Sequence, residues 1–146
     1  MRLLSRGGWT LLLPACILSG GAGHGPGGAA RLAPRSTLRG VFLLEQAEKG
    51  QELYAGRCRS CHTPAAHVVN FKTNWAGRPL AEPFQYISEN MPKDNPGTLS
   101  PEETTVVLAY FLQLMGMPPG KDSLPADSAA LSEIRIDTLA TPSRHS

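Results

Sequence analysis

Cys58-Arg59-Ser60-Cys61-His62 is the stretch that decides how the rest of the chain is read. Its C-x-x-C-H pattern is the attachment signature of c-type haem. Two cysteines three apart near a helix end each reach one vinyl group of the same porphyrin and form thioethers. The next residue, His62, is then held beneath the iron to supply the proximal imidazole. Other uses of the motif fit less well. A structural zinc site needs four ligands, and no second C-x-x-C or C-x-x-H pair occurs after residue 22. A thioredoxin-like redox pair expects a βαβ setting, and no alternating strand pattern is present. A disulfide between cysteines this close would constrain almost no chain entropy. The motif predicts one covalently attached haem c.

The surrounding composition fits an exported protein of one domain. The chain has 146 residues, three cysteines, 41% hydrophobic residues and a formal net charge of +2, a length that suits a single domain. Its longest largely apolar run, Trp9 to Leu18, is ten residues with Pro14 inside it, too short to span a bilayer. Charge is unevenly placed. Residues 1–40 carry five arginines and no acid, whereas residues 41–146 carry nine basic and twelve acidic side chains, a net charge of −3. That body has no basic stripe, which argues against nucleic-acid binding. Arg2 and Arg6 precede the apolar run and small residues follow it from Ser19 to Gly23, the layout of a secretory signal over residues 1–22. Nine of the fifteen glycines lie in residues 1–40, a density that disfavours a buried first helix. Leu13-Pro14-Ala15-Cys16 also resembles a lipobox, with proline at an atypical place. A membrane anchor is expected only if Cys16 is acylated, and the location is periplasmic or exported in either case.

Residues 23–40 are rich in Gly, Ala, Pro and Arg and read as a flexible linker. The domain is expected over residues 41–120, with residues 121–146 as an extended tail holding a short helix at Asp127 to Glu133 and an Ile134-Arg135-Ile136 patch. Three helices can be placed in the domain. One runs from Leu43 to Ala55, with Leu43, Ala47, Gly50 and Tyr54 on one face. A second covers Phe84 to Glu89 and stops before Met91-Pro92, since the residue before proline disfavours helix. The third starts at Ser100 as N-cap, with Pro101 at the first turn and Glu103 completing a capping box, and ends at Gly116. The fold class is therefore all-α, with three to four helices around one haem. So short a domain has a small core of its own, and a covalently held macrocycle supplies the missing interior.

The sixth iron ligand decides the chemistry. Histidine–methionine ligation gives a closed electron carrier, whereas an open position admits gases or peroxide. Met91, Met115, Met117 and His67 are the candidates, with His24 and His145 more remote. Met115 and Met117 lie at the end of the apolar third helix, where methionine usually serves as core filler. His67 follows His62 by only five residues, a short distance for crossing the porphyrin face. Met91 lies twenty-nine residues after His62, where a helix ends and Pro92 restricts the backbone. Met91 is the preferred ligand.

With these residues in view, the chain resembles the class I cytochromes c, the small exported monohaem electron-transfer family. Gly50, Tyr54 and Cys58, each four apart, resemble that family's N-terminal helix, and Val107-x-x-Tyr110 the aliphatic–aromatic pair placed against it. Met91-Pro92 resembles the distal ligand segment. More narrowly, Gln46-Ala47-Glu48-Lys49-Gly50, Trp75-Ala76-Gly77-Arg78-Pro79-Leu80, Asn95-Pro96-Gly97, Leu99-Ser100-Pro101 and Leu124-Pro125-Ala126-Asp127 are similar to members associated with quinoprotein dehydrogenases. The family's proline carbonyl that orients the proximal histidine has no counterpart near Asn74, which leaves the acceptor for the Nδ1–H of His62 open.

The resemblance implies a cytochrome c fold in which Cys58 and Cys61 anchor the porphyrin and His62 and Met91 ligate the iron. It also implies single-electron transfer from a dehydrogenase to a downstream cytochrome or oxidase, with no substrate site that would make the chain an enzyme alone. The alternative is a haem protein with an open sixth position, acting as a peroxidase or gas sensor. Trp75 and Arg78 are candidates for the haem propionates. Lys49, Arg57, Arg59, Lys72 and Lys93 are candidates for a docking rim or simply for solvated surface.

Overall fold

Helix α1, Leu44–Arg57, crosses helix α4, Pro101–Leu114, and among the described residues this crossing is the largest helix–helix contact. The computed structural model describes residues 34–138. The expected signal, Cys16, His24 and His145 lie outside the described residues, as does all but the end of the expected linker. Gly50 makes the crossing close. A Cβ built on it would overlap the Val106 carbonyl oxygen and come within 2.6 Å of the carbonyl carbon and 2.9 Å of the Tyr110 Cβ. Glycine at this place exchanges some helix propensity for direct backbone packing. Helix α4 starts as its sequence predicts. The Ser100 Oγ accepts from the Glu103 N–H at 3.1 Å, and the Ser100 N–H donates to the Glu103 carboxylate at 2.8 Å. Its residues Val107 to Leu112 are all buried, so the helix is enclosed on several sides.

Two further helices complete the shell around this pair. Helix α2, Pro64–Trp75, starts at Thr63, whose hydroxyl accepts from the Ala66 N–H at 3.3 Å. It is absent from the sequence expectation because Phe71 is its one buried residue, which leaves no apolar stripe to read. Helix α3, Ala81–Asn90, begins before Pro83 rather than after it. Proline is tolerated there because first-turn N–H groups have no partner within the helix. It ends at Met91, whose N–H donates to the Ile87 carbonyl at 2.9 Å.

The segments expected to be a linker and an extended tail depart most from expectation. Ser128–Ser132 forms helix α5, capped by Asp127 and Glu133 where the short helix is expected, but Arg35–Ser36 forms strand β1, Thr37–Arg39 a 3-10 turn and Ile134–Arg135 strand β2, parallel to β1. The physical cause is burial: Leu131, Ile134 and Ile136 are fully enclosed in the core. Backbone hydrogen bonds then pair this segment with the loop before α3. The Leu80 N–H donates to Ile134 at 2.8 Å, Gly77 to Ile136 at 2.7 Å, and Ile136 returns one to Arg78 at 2.9 Å. Gln46 ties in the tail from the other side. Its amide oxygen accepts from the Leu124 N–H at 2.7 Å and its amide nitrogen donates to the Leu124 carbonyl at 3.0 Å. Among the described residues, five α-helices and very little strand make an all-α fold, as expected, with α1 to α4 in the expected domain and α5 in the tail.

Candidate haem site

The end of α1 builds the motif's geometry. The Cys58 N–H closes the helix on Tyr54 at 2.9 Å, and the chain then makes one more turn. In it the Cys61 and His62 N–H groups both donate to the Cys58 carbonyl, at 3.1 and 3.0 Å. Positions i, i+3 and i+4 of a helical turn share one side, which is why a C-x-x-C-H spacing can present two thiols and an imidazole together. The buried Tyr54 donates its hydroxyl to the His62 carbonyl at 3.0 Å and fixes the turn from below. Neither Cys58 nor Cys61 is in a disulfide. Burial pushes the Cys58 thiol above its ordinary pKa, only partly countered by Arg57.

These side chains line a cavity of about 650 Å3, a size within the roughly 300–1,000 Å3 usual for cofactor and ligand sites. Cys58, Cys61 and His62 lie on its wall, together with Met91 from the end of α3. Phe71, Pro83, Ile87, Leu99, Val107 and Phe111 give it an apolar lining, while Arg57, Asn70, Arg78 and Lys93 add polar groups. Among the described residues no group of three or more His, Cys, Asp or Glu is arranged to hold a bare metal ion. Two thiols, an imidazole and a thioether around a large apolar cavity instead fit an iron porphyrin.

The other candidates fall in distinct places. Met115 and Met117 are buried in the core, 5% and 3% exposed, and do not line the cavity. His67 does line it, but beside His62, with the two ring centroids 4.7 Å apart. It stacks on Phe111 at 4.4 Å and meets Tyr54 edge-on at 5.4 Å. Burial, with a smaller contribution from His62, pushes its pKa down to about 4. Trp75 and Arg78 both reach the cavity, with the Arg78 guanidinium 5.0 Å from the Trp75 ring centroid and ion-paired to Glu82. Of the five basic candidates for a rim, Arg57 and Lys93 line the cavity, and Lys49 is paired with Glu45 at 2.6 Å.

Sequence reasoning missed the proximal surroundings of His62. Thr63-Pro64, an N-cap followed by proline at the first helical position, was the available signal for the helix that carries His67 and Phe71.

A helical shell around an apolar cavity that presents a C-x-x-C-H turn is an arrangement suited to covalent haem attachment. Residues 45–111 match the family model described as cytochrome c oxidase, cbb3-type, subunit III. Comparison with curated proteins and with solved structures gives no match. The match and the helical architecture support a class I cytochrome c. A cytochrome c domain carries covalently attached haem c and serves haem-based electron transfer. No helix among the described residues is long and apolar enough to cross a membrane.

Proposed function

We propose that this protein is a monohaem carrier of single electrons, in which Cys58 and Cys61 would anchor haem c through thioethers and His62 and Met91 would ligate its iron. The observation that supports it is the convergence of all four side chains on one large apolar cavity. When bound, haem c supplies a one-electron iron couple, and histidine–methionine ligation raises its potential. The chain's residues hold and shield that group. Tyr54 fixes the turn that carries His62, α3 delivers Met91, and Phe71, Leu99 and Phe111 exclude water. Arg78 and Trp75 stand where they could meet the propionates.

The electron donor in this reading is a dehydrogenase, a quinoprotein by the likeness of its dispersed motifs, and the acceptor is a downstream cytochrome or oxidase. Export to the periplasm follows from the signal-like residues 1–22, with a lipid anchor only if Cys16 is acylated. Denaturing electrophoresis of the exported protein tests the core of the proposal. Haem should stay with the polypeptide, and Cys58→Ala or Cys61→Ala should weaken retention or stop maturation. A well-folded, haem-free protein from the same export system would overturn it.

A further inference from the structure

Thr37 is fully buried, and its hydroxyl holds the backbone of Asp137, one hundred residues further along the chain. It donates to the Asp137 carbonyl at 3.0 Å and accepts from the Asp137 N–H at 3.0 Å, using both hydrogen-bonding capacities of a hydroxyl at once. The residue before Asp137 grips the loop ahead of α3 in the same two-way fashion. The Ile136 N–H donates to the Arg78 carbonyl at 2.9 Å, and the Ile136 carbonyl accepts from the Gly77 N–H at 2.7 Å. Gly77 has a φ of +80°, and a Cβ there would meet nothing within 4 Å. Backbone conformation rather than space therefore calls for glycine at this turn. From it the Arg78 guanidinium lies over the Trp75 ring and pairs with Glu82, and both Trp75 and Arg78 stand in the cavity wall.

We propose that Thr37 is a positioning residue for Arg78. Its hydroxyl locks Asp137, Ile136 in turn locks residues 77 and 78, and the guanidinium is thereby held at the cavity. The inference rests on the reading of that cavity as a haem site. Glu82 and the Trp75 ring fix the end of the arginine side chain, whereas the two-step clasp fixes the backbone from which it extends. A cation held in the wall around an iron favours the ferrous state, because the ferric ion carries one more positive charge. Without the clasp the guanidinium moves out into water, where its field is screened, and the reduction potential falls.

The full-length haem protein tests this with Thr37→Val, which removes the hydroxyl at nearly constant volume, and Thr37→Ser, which returns it. Thr37→Val should lower the reduction potential and speed hydrogen exchange at the Gly77 and Ile136 amides about tenfold, the size expected for two lost hydrogen bonds. Thr37→Ser should restore both. Arg78→Gln should itself lower the potential, and adding Thr37→Val to it should lower the potential no further, since the two act through one group. Gln46→Ala, which breaks the bonds to Leu124, controls for stability alone: it should melt earlier with its potential unchanged. An unchanged potential in Thr37→Val or in Arg78→Gln would overturn the inference, as would an equal fall on adding Thr37→Val to Arg78→Gln. If Thr37→Val does not fold, exchange in the unaltered protein decides. The Gly77, Ile136 and Asp137 amides should open as one unit, and independent exchange at Gly77 overturns the clasp. Failure of the haem reading looks different, because the unaltered protein would then show no iron couple at all.

Discussion

The Tyr54 hydroxyl donates a hydrogen bond to the backbone carbonyl of His62 at 3.0 Å, so a core residue of α1 holds the residue eight positions later in place. Tyr54 itself is 2% exposed and packs edge-on against Phe111 with centroids 5.9 Å apart. Tyr54→Phe keeps that packing and removes only the donor. It should cost about 1 kcal/mol, read as a lower midpoint in denaturant unfolding of the haem-loaded protein, with covalent attachment intact.

Gly50→Ala should be worse than its size suggests. The added methyl would overlap the Val106 carbonyl, a backbone group that cannot rotate away. Overpacking of this kind costs about 1–3 kcal/mol, and here α1 and α4 must separate to admit it. Gly56, where an added Cβ meets nothing within 4 Å, is the control in the same helix. Gly56→Ala should stabilise or be neutral, since alanine is the better helix former.

Met91→Ala and Met115→Ala should separate ligation from packing. The first should lower the reduction potential, abolish the sulfur-to-iron charge-transfer absorption and let carbon monoxide bind the reduced iron. The second removes a buried side chain that does not reach the cavity. It should leave all three properties unchanged and cost about 2–5 kcal/mol of stability. Exchange of these behaviours between the two variants would show the ligand to be Met115.

How legible these features were depends on whether their cause is local. The Ser100–Glu103 box is settled by four adjacent residues, so α4 could be placed from sequence. The C-x-x-C-H turn is equally local. Gly50 stood out only through the resemblance of its helix to the N-terminal helix of the class I cytochromes c. Helix α2 was not, because its one buried residue gives no period, and its Thr63-Pro64 start went unread. Strands β1 and β2 have two residues each and pair across almost the whole domain, so alternation could not reveal them. The Ile134-Arg135-Ile136 patch was visible, but its partners are backbone groups of residues 77–80, which side-chain patterns do not disclose. His67 was weighed only as an iron ligand, since Tyr54, His62 and Phe111 meet it from separate parts of the chain.

Removal of residues 121–146 should therefore unfold the domain rather than trim it. The deletion exposes the sites that Leu131, Ile134 and Ile136 fill and strips Gln46 of both bonds to Leu124. It also frees the loop at residues 77–80, beside the Trp75 and Arg78 that line the cavity. Circular dichroism of the truncated, haem-loaded protein should show loss of cooperative melting. Gln46→Ala in the full chain should show a smaller loss, about 1–3 kcal/mol, because it leaves the Leu124 backbone groups without their partners.

The pairing of Arg35 with Glu133, whose carbonyl accepts the Arg35 N–H at 2.8 Å, also sets an order of events during biosynthesis. A ribosome or a translocation channel delivers the chain from its N-terminus, so Cys58 and Cys61 emerge some seventy residues before the segment that closes the domain. For that interval the loop at residues 77–80 has no edge to pair with. Until residues 134–136 arrive, Cys58 and Cys61 stand on a chain whose core still lacks Ile134 and Ile136.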